Sequence, residues 1–419
     1  MTASKTASET AFQIRVLPAI RDIPAARWDA CANSPAAFPK PKSEVVASTP
    51  EAPLSTRGYP FNPFISHGFL AALEESQSAV PRTGWAAQHL VLEAENGDAL
   101  GAVPCYLKSH SQGEYVFDHG WADAYERAGG RYYPKLQVSV PFTPAPGPRL
   151  LVPPGPDAAI RKAALAQGLR ALCEKRDASS VHATFLSEED CRILRGQDFL
   201  ERTDRQFHWE NAGYAGFEDF LSALASRKRK LIRRERRDAL AEGISIHRLT
   251  GSDLTEEIWD AFFRFYMDTG SRKWGRPYLT RAFYSLVGAA MADRILLVMA
   301  RRAGRWIAGA INFIGGDTLY GRHWGAIEEH PFLHFELCYY QAIDYAIAHK
   351  LARVEAGAQG EHKLARGYVP VTTFSAHYLA DPGLRHAVAD YLARERRHVA
   401  AEQAELAAFA PFRKTAGER

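Results

Sequence analysis

The chain has 419 residues, of which 46% are hydrophobic and 24% charged, with a net charge of +4; that is enough for two or three domains with real cores and excludes a polycation, so anion binding must come from local clusters. The five cysteines, Cys31, Cys105, Cys173, Cys191 and Cys338, form no CxxC pair, which argues against a disulfide framework and for a reducing, cytoplasmic setting. The first residues lack the basic and apolar regions of a secretion signal, and no run of about 18 apolar residues could cross a membrane.

In chain order, Phe12–Leu17 alternates as a strand and Ile23–Ala32 reads as a short helix. Residues 33–59, rich in Pro, Ser and Ala, read as a flexible insertion. Ser66 can cap a helix running to Ser76. His89–Ala94 and Ala99–Leu107 read as strands around Asn96-Gly97-Asp98. A polar, aromatic stretch follows, Lys108–Lys135. PRLLVPP reads as a strand, Ala158–Lys175 as an amphipathic helix, Val181–Leu186 as a strand, Ser187–Gly196 as a helix opened by a near capping box, and Phe199–Trp209 as a strand. The plan then starts again. Phe217–Glu242 reads as one long helix, Ile244–Leu249 as a strand, and Glu256–Met267 and Arg281–Ala292 as helices. Ile295–Arg302 and Ile307–Ala326 read as strands, the second broken at Gly315-Gly316. A helix over His334–Ala348, the strands ARVEAG and FSAHYLA, and terminal helices from Asp381-Pro382 complete the chain. The repeat of about 190 residues implies two α/β domains of one architecture.

This order, with NPFISHGFLAALEES, GWADAYERAGGRYYPKLQVSVPFTP, SRKRKLIRRERR, FHFELCYYQAIDYA and EAGAQGEHKLARGYVP in sequence, resembles the FemAB-like proteins of the GNAT acyltransferase superfamily. The resemblance implies an α/β chain of α+β type: two tandem GNAT-like domains, each a mixed, largely antiparallel sheet flanked by helices. The expected division is an N-terminal piece over 1–60, a first domain over 61–210, a second over 211–395 and a helical tail over 396–419. It also implies an N-acyltransferase that forms an amide by direct transfer, with acyl-CoA as cosubstrate and no tightly bound cofactor. The alternatives are aminoacyl transfer from tRNA to a cell-wall precursor, or a non-catalytic polyanion binder on the same scaffold. Where relatives carry Tyr-Lys-x-x-Phe-Gly, this chain has His362-Lys363-Leu364-Ala365-Arg366-Gly367.

Amide formation needs a base for the amine, donors for the oxyanion, and N–H groups or cations for the donor's phosphates. Glu361, His362, Lys363, Glu336 and His323 are the catalytic candidates. Gly315, Gly316, Gln359, Gly360 and Arg366 are candidates for holding the cosubstrate, together with Arg233 and Arg234 of the basic segment. The competing reading of Glu361–Lys363 is a solvated turn. No Walker A loop or GxGxxG fingerprint is present. Between Arg227 and Arg237 eight residues are Lys or Arg, with Leu221, Leu224, Leu231, Ile232 and Ala239 at helical spacing. The segment 226–237 therefore reads as a packed helix whose other faces could meet a polyanion, whether tRNA, CoA, a carrier protein or anionic lipid, or touch a membrane surface. His330 and His334 lie four apart, but Pro331 between them argues against a metal, and no metal is expected. By the resemblance, Asp118, His119, Trp121, Asp123 and Tyr125 would line the cleft for a small-molecule or lipid amine acceptor, and Trp274 stands in a candidate substrate-facing loop.

Overall fold

The computed structural model describes residues 12–34, 59–274, 277–357, 361–409 and 411–413. Its first half runs β1 (Gln13–Leu17), α1 (Ala25–Ala32), α2 (His67–Glu75), β2 (Trp85–Ala87), β3 (His89–Glu93), β4 (Ala99–Val103), β5 (Cys105–Lys108), α3 (His119–Arg127), β6 (Lys135–Val138), α4 (Ala158–Lys175), β7 (Ser180–Leu186), α5 (Glu188–Arg195) and β8 (Leu200–Glu210). The second half runs α6 (Phe217–Ala223), α7 (Ser226–Ala239), β9 (Ser245–Leu249), α8 (Glu256–Trp274), α9 (Arg281–Met291), β10 (Ile295–Arg302), β11 (Arg305–Ile314) and β12 (Thr318–Ala326). Helix α10 follows, made of a turn Leu333–Phe335, a π turn Glu336–Tyr340 and an α segment Gln341–Ala348. Then come β13 (Arg353–Glu355), a 3-10 turn Glu361–Arg366, β14 (Val369–Leu379) and α11 (Pro382–Ala408).

The helices form where apolar spacing and caps agree. In α4, Leu165, Leu169, Leu172 and Cys173 recur on one buried stripe. Ser66, Ser187 and Asp381 each accept a backbone N–H from the first turn of α2, α5 and α11. Among the described residues no helix is long and apolar enough to cross a membrane.

A small sheet, β1-β3-β4, stands beside an eleven-stranded sheet ordered β2-β5-β6-β7-β14-β8-β13-β12-β11-β10-β9. This is the mixed, mostly antiparallel α/β architecture expected of tandem GNAT-like halves. Only β6–β7 and β12–β13 pair in parallel. The halves exchange strands: β14 from the end of the chain lies between β7 and β8, and β8 pairs with β13. Helices α8 and α9 share one core with α1 and α2. Helices α6, α7 and α10 cover the opposite face of the second half.

Three local expectations change. Ala99–Leu107 is two strands, because Pro104 cannot donate to a ladder; β4 joins the small sheet and β5 the large one. The long helix expected over Phe217–Glu242 is broken at Leu224 and Ala225, both extended, where Leu224 bridges Phe412 and Ala225 N donates to Pro411 O. Within α7, Ile232 and Ala239 are buried but Leu231 is exposed. PRLLVPP contributes only a bridge from Leu151 to Ala102.

Candidate active site

The strands β12 and β13 pair for three residues, from Thr318↔Arg353 to Tyr320↔Glu355. Beyond that point they part. β12 continues to Ala326, while the other chain turns away after Glu355 and reaches Gly357 at φ 78°. A bulge places Arg322 as an extra residue against β11, between the pairs Asn312↔Gly321 and Ile311↔His323. The parted strands leave a cavity of about 100 Å³, bordered by Asn312, Arg322, His323, Trp324, Tyr339 and Ala356. Trp324 and His334 also border a larger space of about 590 Å³ at the end of β12, where Glu328 and Glu329 lie.

The first half has the same parallel pair in the same three-residue register, Leu136↔Val181 to Val138↔Ala183. There the gap is filled. Residues Ser139 to Ala145 are buried, and Gly147 rejoins β7 through a bridge to Leu186. The filling segment turns one carbonyl toward the second half, where Phe142 O accepts from Arg322 Nη2, while Pro144 O accepts from Gln206 Nε2 of β8. Among the described residues one open notch therefore remains.

Beside it lies the 3-10 turn. Lys363 is 1% exposed and donates to Gly357 O at 2.8 Å. Burial pushes its amine down to about 8. His362 Nε2 and the Tyr339 hydroxyl are 2.9 Å apart, so the notch wall is wired to the turn. Burial raises the Tyr339 phenol, which stays protonated. Arg366 does not face the cavity. Its guanidinium makes two hydrogen bonds to Glu235, at 2.8 and 2.9 Å, donates to His362 O, and stacks 3.4 Å from the Phe335 ring. Its charge is used within the fold and is not open to a phosphate.

Other candidates also move. Glu336 is fully buried, with both oxygens held by Arg236 and one also by Gln341, so it is a structural anion rather than a base. His323 lines the notch, but burial and the nearby Arg322 push its imidazole down to about 3; it is a neutral wall. Gly315 and Gly316 spend their N–H groups on Thr318 O and Phe61 O in the β11–β12 turn, at the opposite end of β12 from the notch. Arg233 pairs with Glu218 and Arg234 with Asp238, both on the exposed side of α7. Gln359, Gly360 and the side chains of Glu361 and Trp274 lie outside the described residues.

The first-half group forms a packing core instead of a cleft. Asp118 accepts from Lys135 at 2.5 Å and Tyr132 at 2.8 Å. Although burial works against it, Lys135 and His182 hold the Asp118 carboxyl below its usual range. Trp121 packs 5.0 Å from His377 with Arg202 over its ring, and joins Leu384, Val388 and Leu392 of α11. His119 stacks on Phe117, Asp123 is exposed and Tyr125 covers Gly130. Their partners come from β6, β7, β8, β14 and α11, none of which lines the cavity.

Sequence reading missed four residues here: Arg322, Tyr339, Glu355 and His208. Glu355 is 6% exposed with Oε2 unpartnered. Burial, opposed by Arg353, pushes its carboxyl up to about 8. His208 faces it from β8, with Nδ1 4.0 Å from Oε1, and burial drives its imidazole down to about 3. The available signal was the alternation of ARVEAG, which puts Arg353 and Glu355 on one face of a short inner strand.

A FemAB-like family profile, described as peptidoglycan biosynthesis/recognition, matches residues 19–414. No curated protein sequence matches the chain significantly. Among solved structures it is similar to FemX, at 12% identity over 76% of this chain and 94% of that one, with a TM-score of 0.49. It is also similar to L-PGS from Bacillus licheniformis (9% identity, 85% and 99% covered, TM-score 0.46). A third is a tandem GNAT protein from the clavulanic acid biosynthesis pathway (14%, 89% and 99%, 0.41).

Proposed function

The chain belongs to the FemAB-like family and is a transferase, and from that premise we propose that it joins an acyl group to an amine in the notch between β12 and β13, with acyl-CoA as the donor. The observation that carries this is the parted strand pair. It leaves the edge of β12 beyond Tyr320 without a neighbouring strand among the described residues, so an extended arm such as pantetheine can add its amides to that edge. The amine nitrogen attacks the thioester carbon, the C–S bond breaks and the thiolate leaves, becoming the free thiol with a proton equivalent to the one the amine gives up. The amine's proton passes through the Tyr339 hydroxyl to His362, 2.9 Å behind it, a general-base role worth roughly 10²–10⁴-fold. Lys363 supports the turn from within. The acceptor is an amine of the cell envelope, in keeping with the family's description, and the reaction is set in the cytoplasm. The test is thiol release from acyl-CoAs of several chain lengths with a panel of amines. Tyr339→Phe and His362→Ala are expected to lower kcat while the fold is kept. Turnover unaffected by both would remove the relay, and no turnover with any acyl-CoA would remove the donor.

A second donor, aminoacyl-tRNA, is favoured by α7. Arg227, Lys228, Arg229 and Lys230 have no ion-pair partner among the described residues, unlike the four cations that follow them. Through Glu235 and Arg236 the helix is fixed to the turn and to α10 beside the notch. Either donor carries a polyanion these cations could hold. Salt-sensitive tRNA binding lost in Arg227→Glu/Lys230→Glu, with turnover from charged tRNA alone, would replace acyl-CoA.

A further inference from the structure

Arg322 is the bulged residue of β12 and lines the notch. Nη2 donates to Phe142 O, and the Phe64 ring lies 5.8 Å away. No Asp or Glu oxygen comes within ion-pairing distance among the described residues. Glu355 is close enough to act on it electrostatically. That carboxyl, pushed up to about 8 by burial, stays mostly neutral at pH 7 and supplies little counter-charge. Tyr115, Tyr266 and Tyr284 also act on the guanidinium. Tyr284 is fully buried and its hydroxyl has no partner; Glu355 Oε2 has none either.

A cation without a counter-ion, beside two unsatisfied buried groups, is an incomplete arrangement. Arg322 is only part-buried, so an anion there would add a charge-assisted pair, while the buried polar atoms without partners mark the place of a water or an ion. A carboxylate would complete it: two oxygens fit the free part of the guanidinium fork, and the Tyr284 hydroxyl and protonated Glu355 can donate to the remaining lone pairs. A transient oxyanion would leave the charge uncompensated between turnovers. Water alone would satisfy the hydrogen bonds but not the charge.

We propose that Arg322 is the core of a carboxylate-binding site, and that the acceptor is therefore an amine that also carries a carboxylate, of the amino-acid type. This rests on the notch being the transfer site: because Arg322 forms part of its wall, the carboxylate sits a short distance from the reacting amine.

The probes are D-alanine and L-alanine, each compared with its amide, which keeps the amine and removes the negative charge. Binding is measured calorimetrically to the full chain and to Arg322→Met and Arg322→Lys. The preferred enantiomer should bind roughly 10- to 100-fold more tightly than its amide, the range of a hydrogen bond to a charged group. Arg322→Met should abolish that difference at a cost to the free protein no larger than the one hydrogen bond to Phe142 O, since no ion pair is lost. If Arg322→Met does not fold, Arg322→Lys carries the comparison: it keeps the charge but not the fork, and the preference should shrink. Equal binding of acid and amide, binding of neither at millimolar concentration, or a preference untouched by the variants overturns the site. Turnover indifferent to the carboxylate overturns this site and leaves acyl transfer standing; carboxylate-dependent binding with no turnover of any donor does the reverse.

Discussion

Removing Glu235 should release the turn that carries His362 and Lys363. Its carboxylate is 4% exposed, accepts two hydrogen bonds from Arg366 at 2.8 and 2.9 Å, and also takes the Tyr340 hydroxyl. Arg366 in turn donates to His362 O at 2.7 Å. Glu235→Ala leaves a guanidinium, 6% exposed, without its anion, and breaking a buried pair from one side costs about 3–5 kcal/mol. That is a large share of the roughly 5–15 kcal/mol that holds a folded domain, so the turn should open before the rest unfolds. Amide hydrogen exchange reads this directly. Gly367 N and Tyr368 N are bonded to Leu364 O and Lys363 O, and a 3 kcal/mol loss should speed their exchange on the order of 100-fold. The paired replacement Glu235→Met/Arg366→Met removes both charges and should restore most of the protection, because well-packed apolar replacements of a buried pair are often neutral. Exchange in Glu235→Ala within about threefold of the parent, or a double variant as open as the single one, would refute the reasoning.

Two further outcomes follow from the packing around the notch. Gly325 is where β12 meets α8: a Cβ there would overlap the Phe265 carbonyl, so Gly325→Ala should push α8 off the strand, lower the melting temperature and cost about 1–3 kcal/mol; an unchanged melting temperature would sink this. The Lys363 amine, pushed down to about 8 by burial, holds fewer protons when folded than when unfolded at pH 8 to 10.5. Its burial penalty is thus present in full below about pH 8 and relieved as pH rises toward the unfolded value. Lys363→Met should flatten the gain in stability over that window, read from denaturation at pH 8, 9 and 10 against the parent, and parallel curves would contradict it.

How much of this could be read from the chain depended on the range of the interaction. The helices α4, α5 and α11 followed from apolar spacing and caps, which are local. The break at Leu224 did not, because its partner Phe412 is far away in sequence. Lys363 and His362 stood out as candidates through the pattern at 362–367. The partners that assign Arg366 and Glu336 to the fold, Glu235 and Arg236, come from α7, so a residue that looked like an anion hook proved to be half of a clasp. Arg322 and Glu355 were silent because their significance lies in missing partners. A missing partner shows only once the neighbours are in place.

The two halves are equal in plan and unequal in consequence. Each parts a parallel strand pair after three residues. In the first half the next residues, Ser139 to Ala145, fold into the gap; in the second the chain turns away through Gly357 and no described residue fills the gap. The filled half is nevertheless part of the open one. β13, one lip of the notch, is only three residues long, and its other edge is held by β8 of the first half, with Glu355 opposite His208. The Phe142 carbonyl of the first half also holds Arg322 from behind. Without the first half, β13 would be an edge strand of three residues held by β12 alone, and Arg322 would lose the contact that aims it. The exchanged strands thus do more than join two repeats: they make the filled repeat the support on which the open one keeps its shape.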